Sequence, residues 1–305
     1  MDLLDRYRIF VAVADLGGFT RAAERLGLPK ASVSLAVRQL EAGLGAQLLH
    51  RTTRRVHLTR DGEAFLERCR ALVEDADDAQ EMFRTEPRNL RGRLRVDMST
   101  GLAADYVIPR LADFLEAHPL LEIEIGVTER RVDVAGEGYD CVLRSGAVLD
   151  DTLVARPLGS LRIVNCASPA YLRRHGTPRR IEDLAVHRLV HYVGAFGQCS
   201  PGWEYPLAGG GYATLDMDGA VTVDSAAAYT AAALAGLGMI QSPVIGMREL
   251  LAAGRLVEVL AEFPAEPMPL TLLYPRRRHL PLRTRAFMDW VASVLAPHLD
   301  APAPA

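Results

Sequence analysis

Apolar side chains in the first sixty residues recur at helical spacing, and glycines cut the pattern into short runs. Leu3, Tyr7, Phe10 and Val13 or Ala14 form the stripe of a first helix, which Gly17-Gly18 stops. Thr20 is placed to cap a second helix from Arg21 to Leu26, with Ala22, Ala23 and Leu26 turned inward and Gly27 at its end. A third helix begins near Pro29-Lys30-Ala31, with Val33, Ala36, Val37 and Leu40 inside and Lys30, Ser32, Ser34, Arg38 and Gln39 outside. Two short helices on a tight turn, the second with a small polar and basic outer face, make a helix-turn-helix pattern. His50 to Thr59 is rich in basic and β-branched residues and reads as a hairpin wing whose tip offers cations to phosphates.

Thr59 can cap a long helix from Arg60 to Arg84, in which Phe65, Cys69, Leu72, Ala76, Ala79 and Phe83 are spaced 4, 3, 4, 3 and 4. A 3.5-residue repeat marks a helix that pairs with another along a seam, and the alternative is a linker helix packed on its own domain. Glu86-Pro87-Arg88-Asn89-Leu90-Arg91-Gly92 reads as a hinge. Beyond it, strands at Leu94 to Met98, Leu121 to Val127, Tyr139 to Arg144, Leu161 to Cys166, Gly238 to Gln241 and Leu270 to Tyr274 alternate with helices. The helices are Leu102 to Ala117, Ala170 to Arg174 behind the Ser168-Pro169 cap, Ser225 to Leu234 and Pro281 to Ala296. Such alternation predicts mainly parallel sheets covered by helices.

Charge sharpens this picture. Residues 1 to 60 hold ten basic against five acidic side chains, residues 61 to 90 four against nine, and the remainder 21 against 24. A basic head is therefore joined through an acidic helix to a near-neutral body, and the overall charge of -3 hides a candidate nucleic-acid surface. Hydrophobic residues at 49% and charged residues at 24% exclude disordered and disulfide-scaffold classes. Cys69, Cys141, Cys166 and Cys199 include no CxxC pair and read as reduced thiols; a redox pair of Cys166 with Cys199 is the less favoured reading. The start of the chain lacks the pattern of a secretory signal. The uncharged run from Ser225 to Met247 carries Gln241, Pro243 and three glycines, which predicts a buried helix and strand rather than a membrane span. P-loop, GxSxG and HExxH motifs are absent, Gly236-Leu-Gly238 lacks the third glycine of a dinucleotide loop, and His187 and His191 lack a third metal ligand.

Several stretches occur in a telling order: Phe10-Val-Ala-Val-Ala, Gly18-Phe-Thr-Arg-Ala-Ala-Glu-Arg-Leu, Val33-Ser-Leu-Ala-Val-Arg-Gln-Leu-Glu, Leu44-Gly-Ala-Gln-Leu-Leu, Arg51-Thr-Thr-Arg and Leu58-Thr-Arg-Asp-Gly. In order and spacing they resemble the N-terminal signature of LysR-type transcriptional regulators. Gly92-Arg-Leu-Arg-Val, Asp140-Cys-Val-Leu-Arg-Ser-Gly and Cys166-Ala-Ser-Pro-Ala-Tyr-Leu are similar to the effector-binding half of that family, so the likeness spans roughly residues 4 to 296. Gly18, Pro29 and Leu49 depart from the usual Ser or Thr, Ser or Thr, and Phe; Pro29 removes the customary cap of the third helix.

The resemblance implies that Lys30, Ala31, Ser32, Ser34 and Arg38 enter the major groove and that Arg54 and Arg55 hold phosphates or the minor groove from the wing, with Arg51 tying the wing to the helices. It sets Ser99, Thr100, Gly101, Thr128, Arg144, Ser145, Asp224 and Ser225 around a ligand cleft, with Phe196 to Cys199 as a wall. Ser99 and Thr100 also fit simple helix capping, and Arg144 fits either a carboxylate effector or an internal ion pair with Asp140 or Asp133.

The expected fold is mixed: an all-α winged helix-turn-helix domain (1-59), a dimerising linker helix and hinge (60-88), and a two-lobed α/β effector domain (89-305) resembling periplasmic binding proteins. Lobe I takes about 90-162 and 270-297, and lobe II about 163-269. The expected function is a cytoplasmic, sequence-specific regulator rather than an enzyme, needing no cofactor or metal. Its expected partners are an operator in double-stranded DNA, a small-molecule effector such as a carboxylate or other polar anion, and itself as dimer or tetramer, without a membrane. Two rival readings are a DNA-binding regulator without an effector and an α/β enzyme with an appended DNA-binding domain.

Overall fold

The computed structural model describes residues 1–51, 56–81, 90–146, 150–276 and 280–300. The chain divides into two compact units, Met1–Glu86 and Pro87–Ala305.

The first unit opens with helix α1 (Leu3–Leu16), whose start is closed by reciprocal bonds between Asp2 and Asp5. Helices α2 (Phe19–Leu26) and α3 (Lys30–Leu44) follow, and Gly17, Gly27 and Gly45, at φ 61, 65 and 66°, end the three in turn. Left-handed backbone at these stops is what glycine supplies without strain. Gly18, not Thr20, stands at the N-cap of α2, because Gly17 already turns the chain and the helix can start at Phe19. Strands β1 (Leu49–Arg51) and β2 (Val56–Leu58) pair antiparallel as a short wing. Helix α4 (Arg60–Glu81) is capped by Thr59, whose hydroxyl accepts the Gly62 N–H at 2.9 Å and donates to the Gln47 carbonyl at 2.7 Å.

Phe10, Val13, Ala22, Val33, Ala36, Val37, Leu40, Leu48 and Leu49 form one core, closed by Leu66 and Cys69 of α4. The Glu41 carboxylate accepts the N–H groups of Leu48 and Leu49 at 3.0 and 3.2 Å, which fixes α3 against the entry to the wing. At Gly62, α4 meets the same segment so closely that a Cβ would lie 2.0 Å from the Leu48 carbonyl oxygen.

The second unit has two lobes. In the first, β3 (Arg91–Met98), β4 (Leu120–Val127), β5 (Cys141–Ser145), β6 (Leu153–Leu161) and β14 (Met268–Pro275) form a sheet in the order β4-β3-β5-β14-β6. Strand β3 is parallel to β4 and β5, and β14 is antiparallel to β5 and β6. The chain leaves this lobe at Arg162 and enters β7 (Ile163–Ala167) of the second. There β7 lies between β12 (Ile240–Pro243) and β13 (Val257–Glu258), β8 (Val190–Tyr192) is parallel to β11 (Val221–Val223), and β9 (Trp203–Pro206) forms a hairpin with β10 (Tyr212–Leu215). Helices α7 (Pro169–His175), α8 (Ala226–Leu234) and α9 (Val244–Ala252) belong to this half, and α10 (Leu282–Leu295) packs Phe287, Met288 and Val291 on the first sheet. None of the described helices is long and apolar enough to cross a membrane.

Further expectations need correction. The sheets are mixed rather than mainly parallel, because β14 returns antiparallel to β5 and β6, and β7 is antiparallel to β12 and β13. The helix expected over Leu102 to Ala117 is broken into α5 (Thr100–Leu102), a π turn Ala103–Val107, a 3-10 turn Ile108–Arg110 and α6 (Leu111–Ala117). Pro109 has no N–H for an interior helical bond, so the chain changes its winding around it. The strand expected from Leu161 to Cys166 is the end of β6 and most of β7, parted at Arg162.

The two helical glycines of the head make opposite expectations. Gly62→Ala destabilises the first unit by about 1–3 kcal/mol, since backbone must move to admit the methyl. Gly43→Ala, with nothing within 4 Å of the added Cβ, stabilises it by about 0.5–1 kcal/mol. Urea unfolding followed by circular dichroism measures both; equal midpoints for the two variants would refute the close approach.

Candidate functional site

The α3 surface follows from its burial pattern. Val33, Ala36, Val37 and Leu40 are in the core, so Lys30, Ala31 and Arg38 are exposed and Ser32 and Ser34 half-buried on the opposite side. Pro29, at φ -60° and ψ 137°, occupies the N-cap without a side-chain bond, and its carbonyl instead accepts Ser32 and Val33 N–H groups at 2.9 and 3.2 Å. Leu35 stands on the same outer face at 52% exposure. Sequence reasoning passed over it, although its position off the inner stripe was the signal. Arg54 and Arg55 of the wing lie outside the described residues.

The α4 stripe does not act as one seam. Cys69 is fully buried in the head's own core, and the Phe65 ring meets Tyr7 and Phe10 of α1 at 5.8 Å each. Ion pairs Arg8–Asp77 and Arg70–Asp15 tie the same two helices. Cys69 is therefore enclosed in the head's own core, which corrects its place in a dimer seam, while Phe65 stays half-buried against α1. Leu72 is 49% exposed, Ala76 half-buried and Ala79 exposed, and Phe83 lies outside the described residues.

In the second unit the ends of β3, β4 and β5 meet on one carboxylate. Asp97, near the end of β3, is fully buried; it ion-pairs with Arg144 of β5 and accepts the Thr128 hydroxyl beyond β4 at 3.0 Å. Arg144 also donates to the Leu143 carbonyl at 3.0 Å. The internal partner of Arg144 is thus Asp97, not Asp140 or Asp133. Asp140 is occupied by the Arg95 N–H at 2.9 Å and Asp133 by that of Gly136 at 2.8 Å. Gly126 is obligatory beside this pair, as a Cβ there would lie 2.4 Å from the Asp97 carboxylate.

Next to this knot the chain turns at Ser99-Thr100-Gly101. Ser99 makes no side-chain cap; the Thr100 N–H donates instead to the Glu129 carboxylate at 3.0 Å. A Cβ on Gly101 would meet nothing within 4 Å, so the turn opens onto free space. Helix α8 of the second lobe lies against α5, and its Ser225 hydroxyl accepts the Ala228 N–H at 3.4 Å as an N-cap. Tyr192, on β8, has its hydroxyl pushed up first by burial and then by the charges of Glu129 and Asp224. Ser145 and Asp224 are exposed, and Phe196 is 70% exposed in the loop after β8. Glu129, which no sequence motif marked, is the residue that closes the Thr100 turn.

Burial pushes the Cys166 thiol up to about 12, which disfavours its thiolate, and Cys199 is exposed. His187 is buried, with Nδ1 3.2 Å from the Tyr171 hydroxyl. Among the described residues no group of three His, Cys, Asp or Glu is placed to hold a metal ion.

Known proteins match both units. Residues 4–63 fit the family model of the bacterial regulatory helix-turn-helix protein, lysR family, and residues 87–296 fit that of the LysR substrate binding domain. The HTH-type transcriptional regulator YhjC of Escherichia coli K12 is 43% identical over 300 residues, covering 98% of this chain and 100% of that one. An HTH-type transcriptional repressor of Pseudomonas aeruginosa is 34% identical over 296 residues, or 97% and 93% of the two chains. The full-length structure of the Vibrio cholerae virulence activator AphB superposes with a TM-score of 0.58 at 28% identity, covering 98% of this chain and all 100% of that one. The chain belongs to the LysR family of transcriptional regulators.

Proposed function

We propose that the chain is a regulator whose hold on an operator in double-stranded DNA is switched by a small polar molecule between the lobes of its second unit. Residues 1–59 are the reading head, 60–88 the dimerising linker, and 89–305 the effector half, with lobe I at about 90–162 and 270–297. The carrying observation is the packing of α8, capped by Ser225, against α5 at the Ser99-Thr100-Gly101 turn, which brings the two lobes together there. A ligand that bridges two lobes has a different affinity for their open and closed arrangements, which is what a switch needs. Family membership and an exposed polar face on α3 support the DNA reading.

Lys30, Ala31, Ser32, Ser34 and Arg38 read the major groove, joined by Leu35, whose apolar side suits a thymine methyl. Arg54 and Arg55 hold phosphates. Leu72, Ala76, Ala79 and Phe83 supply the self-association seam, and Phe65 and Cys69 anchor it from inside the head. Ser99, Thr100, Gly101, Thr128, Ser145, Phe196, Asp224 and Ser225 surround the effector. Arg144 acts from behind, through Asp97. An anionic effector takes the place of the Glu129 carboxylate at the Thr100 N–H.

In a selection from random duplexes, Arg38→Ala and Ser34→Ala shift the preferred bases, by about 1–3 kcal/mol for a bidentate contact. Arg54→Ala weakens all sequences alike and lowers the salt slope by about one. An unchanged preference in Arg38→Ala would remove α3 as the reader. Leu72→Asp puts a charge into the seam and lowers self-association and DNA affinity together, as sedimentation and anisotropy would record. A variant that sediments like the parent overturns the seam.

Glu129→Ala separates two effector chemistries in one experiment. Removing the internal carboxylate tightens binding of a small carboxylate, by about fivefold for roughly 1 kcal/mol of lost competition. Thermal shifts of the full chain against a panel of carboxylates and amines measure it. Weakened binding, with amines favoured over carboxylates in the parent, would assign Glu129 and Asp224 to a cationic effector.

A further inference from the structure

The second lobe distributes its charge unevenly. Residues 163–267 hold seven arginines and ten carboxylates, and five of the arginines, Arg173, Arg174, Arg179, Arg180 and Arg188, fall within sixteen positions. The rest of the lobe has two arginines against eight carboxylates.

The fold gathers the five. Helix α7 ends in Arg173, Arg174 and His175, and its Tyr171 stands beneath them. The Tyr171 ring stacks on His175 at 4.5 Å, and its hydroxyl accepts the Arg188 N–H at 2.7 Å. Between these, Asp183 accepts the backbone N–H groups of Arg179 and Arg180 at 2.8 and 3.0 Å, which pins that turn. All five arginines are exposed.

Their guanidinium groups are not neutralised locally. Arg95, Arg130, Arg144, Arg156 and Arg162 each meet a carboxylate. In the cluster Asp183 reaches Arg180 at 3.8 Å, and among the described residues Arg173, Arg174, Arg179 and Arg188 have no ion-pair partner. The negative end of α7 accounts for cations at Arg173 and Arg174, but Arg179, Arg180 and Arg188 lie beyond that helix. Five exposed cations within sixteen positions of a lobe that is otherwise acidic make a local field suited to a polyanion.

We propose that this arginine cluster is a second phosphate-binding surface that takes the backbone of the same DNA the head engages, outside the segment the head reads. This rests on the chain being a DNA-binding regulator. Duplex DNA presents about one charge per 1.7 Å of axis, and DNA already held by the head is at high effective concentration for a second site on the same chain. Those two facts favour DNA over an acidic protein as the occupant.

The test compares the full chain with two triple variants of equal charge change on a 60-base-pair random-sequence duplex, about six helical turns, by anisotropy across salt concentrations. Arg173→Ala/Arg174→Ala/Arg179→Ala is expected to lower the slope of log affinity against log salt by about 2.7, or about 0.9 per lost contact. The control, Arg131→Ala/Arg255→Ala/Arg285→Ala, removes three exposed arginines elsewhere and leaves the slope in place. Unfolding midpoints equal to the parent's exclude a folding defect, and Lys30→Ala/Arg38→Ala in the same assay reports whether the head binds DNA at all. Equal slopes for the cluster variant and the parent overturn the proposal. Equal slopes with cluster-dependent binding of polyglutamate would overturn it in favour of an acidic protein.

Discussion

The buried carboxylate of Asp97 is the constraint around which the second unit is arranged. A charge withdrawn from water costs several kcal/mol unless it is paired and hydrogen-bonded, and Asp97 is fully buried. Arg144 and the Thr128 hydroxyl meet that need at one oxygen, Oδ1, from the ends of the strands on either side of β3, while Oδ2 is buried without a hydrogen bond among the described residues. The consequence is geometric. Three strand ends are held in one register, Gly126 has to remain without a side chain, and the Thr100 turn and the Glu129 loop leave the sheet side by side. The turn that follows β3 thus stands on an ion pair whose acid is fully buried.

The same logic explains why an arginine at a strand end is a poor guide to ligand charge. Arg144 sits where a carboxylate clamp belongs, yet its guanidinium turns inward. What remains at the surface is a backbone N–H held by Glu129. At the Thr100 turn the charged partner is thus the Glu129 carboxylate, while the Arg144 cation is held inside by Asp97.

Much of the architecture was legible from residues alone, and the failures have physical causes. The head was readable because each helix is local: a stripe, a glycine stop and a short turn suffice for Phe10, Val33 and Gly27 to declare their places. Strand β6 was not foreseen, since Pro157 and Gly159 argue against a strand. They are tolerated because β6 is the sheet edge, paired along its length with β14 and on its other side bridged at Ser160 to Asp300, and its register slips between Leu270 and Thr271. The partner of Arg144 was missed because Asp97 is 47 residues away, and three nearby carboxylates look alike in one dimension. Glu129 carried no motif; only the parallel pairing of β3 with β4 brings it to Thr100.

Helix α4 shows a different limit. Its apolar spacing is uniform from Phe65 to Ala79, but a periodic stripe states only that something covers it, not what. The first two positions are covered by α1, and the thiol of Cys69 is pushed up to about 12 by that burial. From Leu72 onward the described stripe is less covered, Leu72 and Ala79 being exposed and Ala76 half-buried, although Arg8–Asp77 keeps α4 tied to α1 for another turn and more. One helix therefore serves the head's core with its beginning, while Leu72 and Ala79 of its later turns stay exposed. The two stretches belong to one rod rising about 1.5 Å per residue, so the hold of α1 on its beginning also sets the direction in which its later turns leave the head's core.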